Sequence, residues 1–233
     1  MTDDPYTPMM SAERARKLRE WQDRLFESGG RDEEVKLDYL GMRLEVPPQV
    51  HPPASQPELL GRAVLSEVRE TDRVLDMGTG SGVNAFLAAS KSQNVVAVDN
   101  NPFAVACAKA NAERNGLSSR IEVVEGNLFG PVEGRFGLIV FDPPFRWFAP
   151  RDLREAASTD ENYETLTAFF QQVDRYLAEE GRILIGFGSS GDIAYLHHLI
   201  RSASLDMETL STWGLTKDGL EVEYYAYRLT RNR

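Results

Sequence analysis

The feature that most constrains the fold of this chain is a regular alternation of short apolar runs and helical stretches that begins near residue 72. The apolar runs lie at 73–77, 94–98, 120–124, 137–141 and 181–187. The helical stretches lie at 81–90, 102–115, 162–177 and 192–202. Strands that are apolar on both sides and are linked through helices form parallel sheets with both faces covered. The chain is therefore predicted to have an α/β fold with a doubly wound, mostly parallel sheet.

The last two predicted strands, 207–213 and 220–229, flank a glycine-containing turn and have no helix between them. Because parallel neighbours need a long crossover connection, we expect at least one antiparallel C-terminal strand. Before the alternation starts, the sequence is denser in charge and then in proline. The sequence thus predicts an N-terminal appendage over residues 1–50 and one main domain over residues 51–233.

The N-terminal appendage is predicted to contain a helix and a hairpin. Residues 11–27 place apolar side chains at helical spacing behind a candidate N-cap at Ser11, and Gly29-Gly30 ends the helix. Residues 35–46 alternate around a glycine, a pattern typical of a short hairpin. The helix either lies on the main domain through its apolar stripe or forms a lid or recognition element.

The net charge bears on the choice of partner. The 233 residues include 26 Lys and Arg against 36 Asp and Glu, which gives a formal net charge of −10. Non-specific binding to nucleic acid depends on basic side chains that neutralise phosphates. The acidic balance therefore favours a protein or small-molecule partner over RNA or DNA.

The cysteine and histidine content limits the chemistry further. Cys107 is the only cysteine in the sequence, which excludes an intrachain disulfide framework, and with three histidines no metal site is predicted. Every apolar run is shorter than the ~18 residues that span a bilayer. The first residues are acidic and lack the apolar core of a signal peptide. We expect a cytoplasmic protein with no membrane partner, and the oligomeric state stays open.

The first predicted strand runs into a glycine-rich segment, DMGTGSG at residues 76–82, which we call the glycine loop. Glycines let a ligand approach the main chain closely, and ligands of doubly wound folds bind at the carboxyl ends of the strands. Val83 stands where a G-x-G-x-x-G fingerprint has its third glycine, which disfavours a nucleotide-dependent oxidoreductase. The candidate binding residues are Asp76, Gly78, Thr79, Gly80 and Gly82.

Polar residues also follow the next two strands. Asp99 ends the second strand, where an acid can accept hydrogen bonds from both hydroxyls of a ribose. Alternatively Asp99 caps the next helix, a task that Asn100 or Asn101 can perform instead; Asn100 is also a candidate ligand contact. After the third strand, Asn127 can meet the edge of an adenine with Leu128 on the ring, or it is a polar turn residue.

The fourth strand runs into Asp142, Pro143, Pro144 and Phe145, which we call the DPPF turn. Proline lacks an N–H, so this stiff turn is biased toward carbonyl acceptors. Asp142 adds an acceptor side chain, and Phe145 adds a flat ring for stacking. Such a site suits an amino group on a planar molecule, held in line with an electrophile. The alternative is an ordinary proline-rich strand exit, but the glycine loop at the same sheet edge favours a catalytic site.

Together these residues resemble the class I S-adenosylmethionine-dependent methyltransferases, over roughly residues 50–190. The glycine loop is similar to the motif that holds the methionine end of the cofactor. Asp99 is similar to the family's ribose acid, and 127–128 to its adenine-contacting position. The DPPF turn resembles the [DN]PP[YFW] signature of members that methylate amino or amide nitrogens. The resemblance implies a Rossmann-like fold, S-adenosylmethionine as the cofactor, and a methyltransferase domain over 51–233.

Two clues about the substrate disagree. Glutamine methyltransferases usually carry Asn-Pro-Pro-Tyr, whereas Asp-Pro-Pro-aromatic is similar to forms in adenine-N6 and guanine-N2 methyltransferases. The proline-containing loop at 50–60 is similar to a segment of the glutamine enzymes. With the acidic charge, the sequence favours a planar nitrogen on a protein side chain or a small molecule. An rRNA or DNA base and a non-catalytic cofactor-binding subunit are the alternatives.

Several other residues are candidates for substrate contact. His51 lies in the loop before the helix that resembles a cofactor-covering element, and Trp147 follows the DPPF turn. Trp147 either lines a substrate pocket or packs under 149–160, which is predicted to be a long polar loop. The nucleic-acid alternative depends on basic residues that are otherwise expected to lie on a solvated face: Arg146, Arg151, Arg154, Arg228, Arg231 and Arg233.

Overall fold

The computed structural model describes residues 6–28, 33–53, 58–217 and 219–232. The helices in these ranges are α1 (Ala12–Glu27), α2 (Leu59–Glu67), α3 (Val83–Ala88), α4 (Pro102–Arg114), α5 (Leu153–Ala156), α6 (Glu164–Tyr176) and α7 (Ile193–Ser202). The strands are β1 (Val35–Tyr39), β2 (Met42–Val46), β3 (Arg73–Met77), β4 (Asn94–Asp99), β5 (Ile121–Glu125), β6 (Phe136–Phe141), β7 (Leu177–Gly188), β8 (Leu205–Lys217) and β9 (Leu220–Arg231). The predicted helix end at Gly29-Gly30 and residues 54–57 of the proline-containing loop lie outside the described ranges.

A seven-stranded sheet with the order β5-β4-β3-β6-β7-β9-β8 forms the centre of the protein. The first five strands in that order are parallel, and β9 runs antiparallel to both of its neighbours. This confirms the predicted Rossmann-like α/β fold and its antiparallel C-terminal strand. The strand order reverses between β3 and β6, where Met77 pairs with Phe141. The glycine loop and the DPPF turn therefore leave the sheet side by side.

Hydrophobic layers cover both faces of this sheet. Leu75 and Met77 of β3 enter one layer together with residues of α6 and α7, whereas Val74 enters the other together with residues of α2, α3 and α4. Because successive side chains of a strand point to opposite faces, burial on both faces requires the continuous apolar runs seen in the sequence. Among the described residues, no helix is long and apolar enough to cross a membrane.

The predicted N-terminal helix and hairpin pack on opposite faces of the sheet. Helix α1 has Ser11 as its N-cap, as predicted, and its Leu18 and Trp21 join the layer of α6 and α7. The β1–β2 hairpin joins the other layer, where the buried Asn111 of α4 bonds both main-chain groups of Glu45, at 3.0 and 3.1 Å. A division at residue 50 stays a prediction.

The largest differences from the predicted elements lie in the C-terminal half. Strands β7, β8 and β9 are longer than predicted. Strand β7 begins at Leu177, which pairs with Phe136, and a register shift precedes the regular pairing that resumes at Arg182. The segment 149–160 contains the unpredicted helix α5, with an N-cap at Asp152. Its Glu155 is buried and is bonded by Gln22 and Arg151. Long-range polar contacts therefore order a segment that local composition describes as a loop.

Candidate active site

Asp76 holds the glycine loop from beneath. Its side chain is only 1% exposed, and Oδ2 accepts hydrogen bonds from Thr79 Oγ1 at 2.6 Å and from the N–H of Ala85 at 3.0 Å. Burial raises the pKa of this carboxyl to about 7. Asp76 thus ties the loop to the first turn of α3, a contact that the sequence pattern does not reveal.

The glycines of the loop adopt left-handed backbone conformations, with φ of 65° at Gly78, 54° at Gly80 and 91° at Gly82. A Cβ atom at Gly82 would lie 2.2 Å from the Phe86 ring, whereas a Cβ at Gly80 would meet nothing within 4 Å. Packing against α3 therefore requires Gly82. Gly80 instead borders open space, where a ligand can approach the main chain.

Asp99 lies beside the glycine loop at the end of β4. Its Oδ2 accepts from the N–H of Gly80 at 2.8 Å and its Oδ1 from the N–H of Asn101 at 2.9 Å. Partial burial raises the pKa of Asp99. The cap of α4 is Asn101, whose side chain accepts from the N–H of Phe103. A carboxylate has about four acceptor positions, so Asp99 retains capacity for a ligand, and Asn100 is exposed next to it.

The two candidate cofactor contacts in the turn after β5, Asn127 and Leu128, differ in their exposure to solvent. Asn127 is exposed, and its carbonyl accepts from the N–H of Gly130 at 3.1 Å. Leu128 has a φ of 46° and is buried in the hydrophobic layer of α6 and α7. The turn therefore directs Asn127 outward at the same sheet edge as Asp99, while Leu128 presents only a small part of its surface there.

The DPPF turn lies next to the glycine loop at the point of strand reversal. Asp142 is accessible to solvent, yet desolvation by the surrounding protein raises its pKa to about 6. None of the described residues donates a hydrogen bond to its carboxylate. The half-buried Phe145 ring contacts Phe187 and Tyr224, with centroids 5.5 and 6.2 Å apart. Of the two prolines between Asp142 and Phe145, Pro143 is buried and Pro144 is half-buried.

Three glycines in and after β7 pack against this turn, and the sequence reasoning missed them. A Cβ at Gly186 would lie 2.6 Å from Asp142 Oδ1, and one at Gly188 would lie 3.0 Å from the Phe145 ring. A Cβ at Gly191 would lie 1.9 Å from the Phe145 carbonyl oxygen. The sequence contains these three glycines in the segment GFGSSG at 186–191. The segment alone does not show which residues of the DPPF turn each glycine contacts.

The two candidates for substrate contact have different environments. His51 is exposed on the segment that precedes α2. Trp147 is only 6% exposed and packs against Phe148 and Tyr6, with ring centroids 4.7 and 6.2 Å apart. Trp147 thus packs against the N-terminal segment and Phe148, and with them it lines a cavity. Its contact with a substrate stays a prediction.

Arg146, which was expected on a solvated face, is buried, and that expectation is wrong. Its guanidinium lies 4.9 Å from the Trp21 ring centroid and 5.6 Å from that of Phe145. Nη1 donates to Gln22 Oε1 at 2.6 Å. Arg146 is buried because its long apolar stem packs between the Trp21 ring of α1 and the Phe145 ring.

The other basic candidates are paired with acids. The ion pairs are Arg151 with Glu155 and Asp23, Arg154 with Asp152, Arg228 with Glu67 and Glu208, and Arg231 with Asp174. Arg233 lies outside the described residues. These pairs neutralise the charge locally, which weakens the argument for a phosphate-binding face.

Comparisons with known proteins find similar sequences over the region that contains the glycine loop and the DPPF turn. The family model "Methyltransferase small domain" matches residues 58–192. A Methanocaldococcus jannaschii protein, provisionally named a protein N5-glutamine methyltransferase, is 32% identical over 64% of this chain and 77% of its own length. The release factor glutamine methyltransferase of Geobacter sulfurreducens is 37% identical over 46% of this chain. The aligned part of the chain spans only 38% of the length of that second relative.

A solved structure shares the fold at low sequence identity. The Methanocaldococcus jannaschii protein Trm5 in complex with adenosine superposes with a TM-score of 0.63 at 18% identity, over 86% of this chain and 56% of the other. At this identity the similarity concerns the fold alone.

Proposed function

The chain belongs to the methyltransferase small domain family, and from that premise we propose that it methylates a planar nitrogen of a protein side chain with S-adenosylmethionine. The observation that carries the proposal is the adjacency of the glycine loop and the DPPF turn, joined by the Met77–Phe141 pair. A methyl donor over the first loop and an amino or amide group over the second would meet at this edge.

The residues of the first loop fit the cofactor. Open space borders the left-handed main chain at Gly80, and Asp99 keeps acceptor positions that suit ribose hydroxyls. We assign cofactor contacts to Gly78, Thr79, Gly80, Asp99 and their neighbours, Asp76 acting from beneath the loop. When bound, S-adenosylmethionine supplies an electrophilic methyl group on its sulfonium. Further proposed contacts are Gly82, Asn100, Asn127 and Leu128.

The DPPF turn is suited to orient a weak nucleophile. The lone pair of an amide or aryl amine is delocalised, so the main task is to hold the nitrogen in line with the methyl group. With a pKa of about 6, the Asp142 carboxylate is ionised at neutral pH and can accept an N–H hydrogen bond. The Pro143 carbonyl is the second acceptor, and Phe145 supplies a stacking face. The proton leaves to Asp142 or to water.

The substrate assignment draws on the relatives and on the charge. Both curated relatives carry names that describe methylation of glutamine in proteins, and a glutamine amide is a planar nitrogen of the proposed kind. The net charge of −10 and the paired arginines add support against nucleic acid. His51 and Trp147 stay candidate substrate contacts.

The test uses purified protein, methyl-tritiated S-adenosylmethionine and cell lysate, with the products separated into protein, RNA and small molecules. We expect label in the protein fraction, and about 10²–10³-fold slower labelling with the Asp142→Ala variant. Label in RNA would replace the protein substrate with a base. Tight cofactor binding without label in any fraction would indicate a non-catalytic subunit instead.

A further inference from the structure

A buried tyrosine holds the main chain of the DPPF turn. The Tyr163 hydroxyl donates to the Phe145 carbonyl at 2.8 Å and accepts from the N–H of Asp192 at 2.7 Å. The side chain is 0% exposed, so this hydroxyl makes both bonds away from water. A phenol has one proton to donate, and here it goes to the turn. Tyr163 thus links the DPPF turn to the loop after β7.

The backbone around Tyr163 is strained. Asn162 and Tyr163 have φ angles of 53° and 56°, in the left-handed region that non-glycine residues adopt at a cost. Two such residues in succession persist only where the surroundings determine the conformation. The Tyr163 ring stacks on Tyr195, with centroids 5.2 Å apart and planes at 17°. The strained backbone and the stacked ring together aim the hydroxyl at the Phe145 carbonyl.

The Phe145 carbonyl fits a narrow slot between two residues. Tyr163 closes one side through the hydrogen bond, and Gly191 closes another so tightly that a Cβ would lie 1.9 Å from the oxygen. Phe145 carries the ring that we assign to stacking on the acceptor. The orientation of this peptide group therefore determines where that ring stands relative to Asp142.

The N-terminal segment secures the other end of this contact. The Tyr6 hydroxyl and the Met9 N–H both donate to Asp192 Oδ2. Asp192 Oδ1 accepts from the N–H groups of Ala194 and Tyr195, which caps α7. With both carboxylate oxygens engaged, Asp192 is held in place while its own N–H points to Tyr163.

We propose that Tyr163 is a positioning residue for methyl transfer, acting through the Phe145 carbonyl, with Asp192 and Tyr6 as its support. The proposal rests on the proposed function above. Neither of these two hydrogen bonds of the Tyr163 hydroxyl involves the glycine loop or Asp99. Loss of this hydroxyl should therefore slow transfer while cofactor affinity stays the same.

The experiment compares Tyr163→Phe with Tyr195→Phe. Tyr195 lies in the same aromatic stack, but its hydroxyl bonds Thr167 Oγ1 at 2.9 Å, so it is the matched control. Because a misplacement of ~1 Å can cost about 10²-fold, we expect Tyr163→Phe to lower kcat for tritium transfer to the protein fraction by roughly 10- to 100-fold. The Kd of S-adenosylmethionine by calorimetry should be unchanged, and Tyr195→Phe should match the wild type in both measurements.

Hydrogen exchange followed by mass spectrometry gives a second readout that needs no substrate. In Tyr163→Phe, the amide of Asp192 and the segment 145–148 should exchange faster than in the wild type or in Tyr195→Phe. Wild-type kcat in Tyr163→Phe, or equal losses of kcat and cofactor affinity, would overturn the positioning role. If the wild-type protein transfers no label, the proposed function fails, and unchanged exchange would separately contradict the contact.

Discussion

The two halves of the site are assembled in different ways. The cofactor half, comprising the glycine loop and Asp99, uses partners near in sequence: Asp76 bonds Thr79 three residues away, and Asp99 bonds Gly80 nineteen residues away. The acceptor half, comprising the DPPF turn and its supports, uses distant partners. Gln22 of α1 bonds Arg146, the residue after the turn, across 124 residues, and Tyr6 bonds Asp192 across 186.

This difference indicates that the halves can be perturbed separately. A local loop with its own hydrogen bonds keeps its shape when distant segments shift, whereas the DPPF turn depends at once on α1, on Tyr163 before α6 and on the loop after β7. Variants in the cofactor half should change binding of S-adenosylmethionine, and variants in the acceptor half should change transfer.

The largest effect is expected for Asp142→Ala. Removal of the proposed acceptor should lower kcat by about 10²–10³-fold, the usual cost of losing one preorganised electrostatic contact to the reacting group. Cofactor affinity should stay near the wild-type value. Tritium transfer and calorimetry measure the two quantities, and Asp142→Asn, which keeps one acceptor oxygen, should retain more activity. Wild-type rates in Asp142→Ala would contradict the catalytic role.

Gly191→Ala should damage the acceptor half through packing. Its Cβ would lie 1.9 Å from the Phe145 carbonyl oxygen, and such overpacking costs about 1–3 kcal/mol of stability. The displaced turn should also lower kcat, by up to about 10²-fold. Thermal unfolding and turnover check both effects. At Gly214 the nearest atoms to a Cβ are 3.6 Å away, so Gly214→Ala is the control and should behave like the wild type.

Asp99→Ala should affect only the cofactor half. Loss of charge-assisted hydrogen bonds to the ribose should weaken binding by about 1.5–3 kcal/mol, which is roughly 10- to 150-fold in Kd. At saturating cofactor, kcat should recover most of its wild-type value. Calorimetry tests this, with the exposed Glu122→Ala on the adjacent strand as a control. A large loss of kcat with unchanged Kd would reverse the assignment.

The smallest effect is expected in the pH dependence of kcat. The raised pKa of Asp142, about 6, means that the carboxylate is ionised above this pH and protonated below it. Because only the ionised form is a full acceptor for the substrate N–H, kcat should fall as pH drops through about 6 and level off above. The Asp142→Asn variant should lose this acidic limb. A limb that persists in the variant would point to another group, such as Asp76 with its pKa of about 7.

The sequence was informative where patterns are local. Strand β3 has the predicted bounds, and β4 and α4 differ from theirs by one residue at one end, because apolar runs and N-cap residues act within a few positions. The antiparallel C-terminal strand could be predicted because the sequence has no crossover helix between its last two predicted strands. The start of β7 at Leu177 was missed, since its pairing with Phe136 ahead of a register shift depends on β6 rather than on local composition.

The site divides in the same way. The glycine loop and the DPPF turn could be recognised from spacing, and the fold places them side by side. The roles of Gly191 and Tyr163 could not, because both depend on contact with the Phe145 carbonyl, made by residues 18 or more positions away. Arg146 was misjudged for the same reason, since its burial depends on Trp21 and Gln22 of α1.

The most direct test of the central claim maps the methyl group itself. The protein is incubated with trideuteromethyl S-adenosylmethionine and the unlabelled protein fraction of the lysate. The modified peptides are then fragmented in a mass spectrometer. We predict a trideuteromethyl group on the side-chain amide nitrogen of a glutamine or asparagine, formed about 10²–10³-fold more slowly with Asp142→Ala. Label on a carboxylate oxygen or a lysine, or no labelled protein at all, would contradict the account.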